Sequence, residues 1–187
     1  MKRKLVCDVV KLIENGDKLN NFTIIKAAID LNVEESLIIV YLPEKVESII
    51  DFHIESILQN IDNISINDIN GFSGKLIFMI KNLYRELNQN PRFLKEMLKY
   101  QLKHPTKSAP RLWKLCDTLI KNANDRSIDF SFYTKRAKLF QILLLIIIDI
   151  LRNQSSEDIE HLIEYRINQA KNSKIKDMIN FWKSKIS

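Results

Sequence analysis

The chain has 187 residues, a length that suits one domain or a small head fused to a larger body. Its formal net charge of +6 suits an anionic partner and does not distinguish nucleic acid from a membrane surface. Three Gly and four Pro favour an all-helical chain, and Cys7 and Cys116 lack the spacing of a metal site, which indicates reduced thiols in a cytoplasm-like compartment.

The first sixty residues predict four helices joined by short turns. Gly16 suits a helix stop, Asn21 can cap the second helix, and Pro43 permits a new helix after it. The predicted ranges are Lys4–Glu14, Phe22–Leu31, Glu34–Leu42 and Glu44–Gln59. These lengths and turns resemble a TetR-type helix-turn-helix head, and Leu42-Pro43-Glu44-Lys45 stands where repressors often have Phe-Pro-Ser-Lys.

The third helix would be the recognition helix of such a head. It begins with two carboxylates, Glu34 and Glu35, and continues with Leu37, Ile38 and Val40. A DNA-reading helix needs donors for base edges and cations for phosphates. The sequence therefore disfavours the alternative of a TetR-type repressor that binds DNA and a hydrophobic ligand, without removing it.

The polar stretch Asn60 to Gly74 is the best boundary between head and body. Pro91 and Pro110 suit first-turn positions, and Ser155 with Asp158 resembles a capping box. The predicted body helices, with one terminal helix, are Lys75–Leu87, Arg92–Leu102, Arg111–Ala123, Phe130–Arg152, Asp158–Lys171 and Lys174–Lys185. We thus predict nine or ten helices in a head (1–60), a body for lipid binding and dimerisation (61–171) and a C-terminal amphipathic helix (172–187).

The helix Phe130–Arg152 contains seven consecutive aliphatic residues, from Ile142 to Ile148. Lys138, Gln141 and Asp149 interrupt the apolar region, which is shorter than the ~20 residues that span a bilayer. This pattern predicts a buried helix. The amino terminus has neither the apolar core of a signal peptide nor an Arg/Ser-rich transit segment, which favours a bacterial cytoplasm over a mitochondrial matrix.

Catalytic motifs are missing from the sequence. His53, His104 and His161 are scattered, and there is no metalloprotease motif, Gly-rich phosphate loop or nucleophile elbow. Asp158 and His161 have the spacing of one half of a di-iron site, but such a site needs a second copy. The sequence therefore predicts neither an enzyme nor a metal site.

A distinctive series of residues precedes the aliphatic run. Leu112-Trp113-Lys114, Asp117, Ala123 and Asp125 lead without a gap into a motif made of Ser127, Asp129, Phe130, Tyr133, Thr134, Lys135 and Arg136. From Trp113 to Ala137 the chain resembles the accessory lipid-binding family of ubiquinone (coenzyme Q) biosynthesis, which has a TetR-like fold. It departs at Ile120 and Phe132, where the family usually has Trp, and at Asn124, Ile128 and Ser131.

The resemblance implies a non-catalytic protein that presents a polyprenyl quinone precursor to the di-iron demethoxyubiquinone hydroxylase at the membrane. An isoprenoid tail needs only a long apolar cavity, since each buried methylene contributes ~0.8 kcal/mol. The candidate wall residues, which could equally form a dimer core, are Leu139, Leu143, Leu144 and Ile147. We expect a bound isoprenoid or phospholipid, no other cofactor, and a homodimer through Phe130–Arg152 and Asp158–Lys171.

The head of the long helix is the predicted docking patch for the hydroxylase. Its candidate residues are Asp129, Phe132, Tyr133, Lys135 and Arg136. Phe132 and Arg136 are four residues apart and hence neighbours on one helix face, and paired aromatic and Arg side chains often dominate interfaces. The alternative is that Tyr133 faces inward and that Arg136 pairs with a nearby carboxylate such as Asp129.

The terminal segment has an apolar stripe at helical spacing, which is formed by Ile175, Met178, Ile179, Trp182 and Ile186. Four lysines flank this stripe: Lys174, Lys176, Lys183 and Lys185. Such lysines can reach lipid phosphates while Trp182 sits at the interface, so the segment predicts peripheral association with an anionic inner membrane. The alternative is that the stripe packs on the body.

Overall fold

The computed structural model describes residues 1–62, 69–123, 130–152 and 156–172. These residues form nine α-helices and no strand. The helices are α1 (Lys2–Glu14), α2 (Asn21–Asp30), α3 (Glu35–Tyr41), α4 (Val46–Asp62), α5 (Phe72–Leu87), α6 (Pro91–Lys103), α7 (Pro105–Asn122), α8 (Phe130–Leu151) and α9 (Ser156–Asn172). The predicted all-α fold is confirmed.

The chain divides into two compact units. One unit consists of Met1–Ile64 and Leu83–Pro105, and the other of Ser65–Asn82 and Thr106–Ser187. The predicted head, 1–60, lies within the first unit, which also holds α6 and the end of α5. The polar stretch separates head and body along the sequence. In the structure the first unit also includes the later segment Leu83–Pro105.

The first unit is built around α1. Leu5, Val9 and Ile13 recur on one side of this helix and are fully buried. Helices α2, α4 and α6 pack against α1. Gly16 has φ +127°, a conformation open to glycine at little cost, and it follows the end of α1 as predicted. The aliphatic stripe of α1 thus becomes the centre of the unit.

Two contacts tie the start of α6 to the end of α1. The Glu14 carboxylate accepts a hydrogen bond of 2.7 Å from the backbone N–H of Phe93, which satisfies one of the free donors in the first turn of α6. Arg92 donates to the Gly16 carbonyl oxygen at 2.8 Å. Pro91 opens α6 at the predicted first-turn position.

The cap of α2 differs from the prediction. Asn20, not Asn21, precedes the helix, and its Oδ1 accepts a hydrogen bond of 3.0 Å from the backbone N–H of Thr23. Asn20 has the extended backbone, with φ −153° and ψ 175°, from which a side chain reaches the third helical residue. Asn21 lies one residue too late for that geometry.

Helix α7 also begins earlier than predicted. It starts at Pro105 instead of Arg111, and Pro110 lies inside the helix. Pro110 is the sixth residue of α7 and has no backbone N–H, so the helix loses one hydrogen bond there. The helix nevertheless continues on both sides of Pro110. Pro105, whose fixed φ suits the first position, opens the helix.

In the second unit α8 packs against α9. Leu139, Leu143 and Ile146 on α8 and Ile159 and Ile163 on α9 are all buried. Asp149 is only 4% exposed and accepts a hydrogen bond of 3.4 Å from Arg166 of α9. Lys81 of α5 donates to Glu164 of α9 at 2.5 Å. Charged pairs therefore join both α5 and α8 to α9.

Candidate functional site

The site begins where α7 and α8 meet. Arg136 lies on the second turn of α8, and its side chain is 2% exposed. Its Nε and Nη2 both donate to Oδ1 of Asp117 on α7, the Nε contact at 2.7 Å. A buried guanidinium needs such a carboxylate because an unpaired charge is costly to desolvate. The pair fixes the head of α8 against α7.

Asp117 is shared between two cations. Its second oxygen, Oδ2, lies 2.6 Å from Nζ of Lys121, whose side chain is 65% exposed. The hydrogen bond from Lys121, and next the contact with Arg136, lower the pKa of Asp117 below its ordinary value. This carboxylate is therefore held ionised between one solvated and one buried partner.

Cys116, next to Asp117, is fully buried. Burial raises the pKa of its thiol to about 12, although the charge of Arg136 acts in the opposite direction. A thiol with that pKa is neutral at physiological pH and is a poor nucleophile. Cys116 thus belongs to the packing of α7.

The predicted docking residues separate into exposed and buried positions. Tyr133 is 64% exposed, so it faces outward. Lys135 is half-buried and its Nζ lies 5.4 Å from the centre of the Phe72 ring on α5. The Arg136 side chain is buried and contacts Asp117, so it does not face outward with Tyr133. Asp129 and the side chain of Phe132 lie outside the described part of the chain.

The predicted lipid-wall residues lie on two sides of α8. Leu139 and Leu143 are buried, with 2% and 5% exposure. Leu144 and Ile147 are half-buried, as are Leu145 and Ile148. The helix therefore keeps a second aliphatic face that one chain covers only in part. The predicted membrane-binding residues, from Lys174 to Ile186, lie outside the described residues.

The exposed surface of α3 is acidic and aliphatic. Glu34 precedes the helix and Glu35 opens it, both at exposed positions. Ile39 and Val40 are 64% and 70% exposed. Residues 1–60 contain seven Lys or Arg and ten Asp or Glu, a net charge of −3. A helix with this surface offers few donors to bases and repels phosphates.

Metal-binding groups are not clustered in the residues described by the structure, where no three His, Cys, Asp or Glu side chains could share an ion. Asp158 and His161 both lie at exposed positions of α9. His53 is partly buried, with its ring edge-on to Phe93 at 4.8 Å, and this burial lowers its pKa. Within the described ranges, no helix combines the length and apolarity that crossing a bilayer requires.

Comparison with known proteins finds a family match and similar solved structures. Residues 106–174, which include most of α7 and all of α8 and α9, match the COQ9 family. A TetR transcriptional regulator from Nitrosomonas europaea ATCC 19718 has a similar structure, with a TM-score of 0.71 and 17% sequence identity over 91% of this chain and 98% of that chain. At this identity the similarity shows the fold alone. No curated protein matches the chain.

The Asp117–Arg136 pair is the feature that sequence reasoning missed. In the sequence Asp117 appears only as a residue of the motif, and Asp129 is the nearer carboxylate for Arg136. The two paired residues are 19 positions apart, and a segment without helical periodicity separates them. The signal available in the sequence is that a cation on a largely aliphatic helix such as α8 needs an acidic partner, and Asp117 is the one acid on α7.

Proposed function

We propose that this chain, whose residues 106–174 match the COQ9 family and whose fold is TetR-like, is a non-catalytic, lipid-binding accessory protein of that family. The family supports an accessory role in ubiquinone biosynthesis. The more specific proposal is that the chain presents a polyprenyl quinone precursor to the di-iron demethoxyubiquinone hydroxylase at a membrane surface.

The observation that carries the proposal is the aliphatic surface of α8. This helix has one face buried against α9 and a second face, with Leu144 and Ile147, that stays half-buried in the single chain. Partly exposed aliphatic surface of this kind is stabilised by an apolar ligand or by a second copy. An isoprenoid tail and the proposed homodimer would both use it.

The direct test is lipid extraction. The purified full chain is first weighed by native mass spectrometry, and bound lipids are then extracted and identified. We expect a copurifying isoprenoid. A Leu144→Ser/Ile147→Ser variant should retain less of it, whereas Tyr165→Ser, at an exposed position of α9, should retain the parental amount. If extraction of the parental chain yields no isoprenoid, the lipid-carrier proposal is contradicted.

The docking part of the proposal centres on Tyr133. This side chain is 64% exposed at the head of α8, within the segment that matches the family. Arg136→Glu is unsuitable as a docking variant, because it would place a second carboxylate against Asp117. Tyr133→Ala is the better change, and Tyr165→Ala, with 58% exposure on α9, is a matched control.

The measurement is capture of the hydroxylase by the immobilised chain. An aromatic anchor in an interface commonly contributes ~2 kcal/mol, so Tyr133→Ala should weaken capture about 30-fold. Tyr165→Ala should capture as the parent does. Equal capture by both variants, with circular dichroism matching the parent, would remove Tyr133 from the docking surface.

The repressor alternative has the fold in its favour, since the similar structure is named a TetR transcriptional regulator. The surface of α3 argues against it, because Ile39 and Val40 are exposed where a recognition helix would carry polar side chains. We therefore retain the accessory function as the proposal.

A further inference from the structure

Exposed apolar side chains are concentrated on α2 and α3. Among the described residues ten large apolar side chains are exposed, and five of them lie on these two short helices. They are Phe22, Ile29, Leu37, Ile39 and Val40. Single exposed apolar residues are common on protein surfaces, whereas a concentration of them marks a surface that binds a partner. We call these five residues the α2–α3 apolar surface.

Both helices point this surface away from their buried sides. On α2, Phe22 and Ile29 are seven residues apart, which is about two turns, so they lie on one side of the helix, 74% and 68% exposed. Ala27 and Ala28 of the same helix are buried. On α3 the buried residue is Ile38, and Val40 is about 200° further round the helix. The apolar surface is therefore separate from the core of the first unit.

Acidic side chains accompany the apolar surface. Residues 21–44 contain one Lys and four acids, a net charge of −3, which equals the net charge of residues 1–60. The four acids, all at exposed positions, are Asp30, Glu34, Glu35 and Glu44. The lysine, Lys26, is paired with Asp17 at 2.9 Å. Within the described part of the chain no cation pairs with Glu34 or Glu35.

Charge and apolarity together select the kind of partner. Carboxylates repel an anionic bilayer and the phosphates of nucleic acid. A second copy of the head carries the same negative charge, so head-to-head pairing would oppose like charges. A helix that has apolar residues on one side and Lys or Arg beside them complements both properties, because it buries the aliphatic groups and neutralises the acids.

We propose that the α2–α3 apolar surface docks a basic amphipathic helix of a partner protein. The apolar side of that helix covers Ile39 and Val40, and its cations pair with Glu34 and Glu35. Burial of the aliphatic groups supplies the affinity, and the carboxylates select a cationic partner. This docking goes beyond lipid carrying and does not depend on it.

The test is binding of the full chain to a fluorescent helical peptide, followed by anisotropy. The peptide has Leu at positions i, i+3, i+4 and i+7 and Lys at the others. One control peptide replaces every Lys by Glu, and a second replaces every Leu by Ser. We expect the Lys/Leu peptide to bind at least about tenfold more tightly than either control, because it alone has both properties.

Variants of the chain locate the peptide. Ile39→Ser/Val40→Ser should weaken binding of the Lys/Leu peptide about tenfold, since it removes the aliphatic part of the surface. Glu34→Gln/Glu35→Gln should weaken it about fivefold, with a smaller effect in high salt. The matched controls, Tyr165→Ser and Glu157→Gln, change exposed positions of α9 and should bind as the parent does.

Three results would overturn the inference. They are parental binding by Ile39→Ser/Val40→Ser, equal binding of the Lys/Leu and Glu/Leu peptides, and loss of a parental dimer in Ile39→Ser/Val40→Ser by analytical ultracentrifugation. The last result would assign the surface to a second copy of this chain. Circular dichroism checks folding, and Val40→Ser alone, which should weaken binding about threefold, serves if the double variant unfolds.

Discussion

At the residue scale, Asp117 joins two cations of very different exposure. Arg136 is 2% exposed and Lys121 is 65% exposed, although both contact the same carboxylate. A surface ion pair contributes little because water already solvates both partners. A buried guanidinium without its carboxylate is costly. The two contacts should therefore differ strongly in what they contribute to stability.

The first prediction compares these two contacts. Arg136→Lys keeps the charge but loses the two donors that reach Oδ1, and should lower the free energy of unfolding by about 1–2 kcal/mol. Lys121→Gln, the matched control, should change it by less than about 0.5 kcal/mol. Urea unfolding followed by circular dichroism measures both. Equal effects of the two changes would contradict the structural role of Arg136.

The second prediction concerns acid stability. The folded-state pKa of Asp117 is lowered by Lys121 and Arg136, so its contribution is present above the unfolded-state pKa of ~4 and is lost as pH falls through the lower folded value. Asp117→Asn should be less stable than the parent at pH 7, with the difference shrinking below pH ~4. Thermal melting between pH 3 and 7 tests this, and a gap independent of pH would be the contrary result.

At the element scale, the helices differ in how completely their apolar faces are covered. Helix α1 is buried along its stripe, whereas the aliphatic residues of α8 extend beyond its buried face and those on the other face stay half-buried. Helix α3 exposes Ile39 and Val40. Aliphatic surface in contact with water is unfavourable, and on α8 it supports the proposed ligand or partner chain.

The third prediction concerns the terminal segment, which lies outside the described residues. Ile179→Asp/Trp182→Asp should abolish flotation with anionic liposomes, because carboxylates would have to enter the apolar interface. The control Asn180→Asp/Ser184→Asp adds the same charge on the opposite side of the predicted helix and should retain most binding. Unfolding of the first variant alone would show that the stripe is core.

At the scale of the whole molecule, charge is unevenly distributed along the chain. Residues 1–60 carry a net charge of −3, so the remaining residues carry +9. A helix-turn-helix protein that reads DNA needs cations on its head, since neutralised phosphates supply much of the affinity. Here the excess of cations lies beyond the head, which supports a different use for the fold.

The fourth prediction follows from this distribution. The chain should form no specific complex with duplex DNA at nanomolar concentration in physiological salt, where specific complexes persist. Selection from a random duplex library followed by electrophoretic shift assays tests it. Weak binding that vanishes as salt rises is compatible with the excess of cations beyond the head, whereas one tightly bound operator would favour the repressor alternative.

The sequence by itself determined the helices and the family resemblance. Few Gly and Pro, together with aliphatic residues at helical spacing, sufficed to predict the helices of the described residues, because this periodicity is a local property of the chain. The residues from Trp113 to Ala137 carry the family resemblance by themselves. The cap at Asn20 and the helix start at Pro105 differ from the prediction, since several nearby residues can cap a helix equally well in sequence.

Only the tertiary structure decided which side chains of the motif face outward. Tyr133 and Arg136 are three residues apart on α8, yet one is 64% exposed and the other 2%. The difference depends on Asp117, 19 positions away from Arg136, and on the packing of α7 against α8 that brings the two together. Pairings between distant residues depend on how helices pack, and helical periodicity contains no information about that packing.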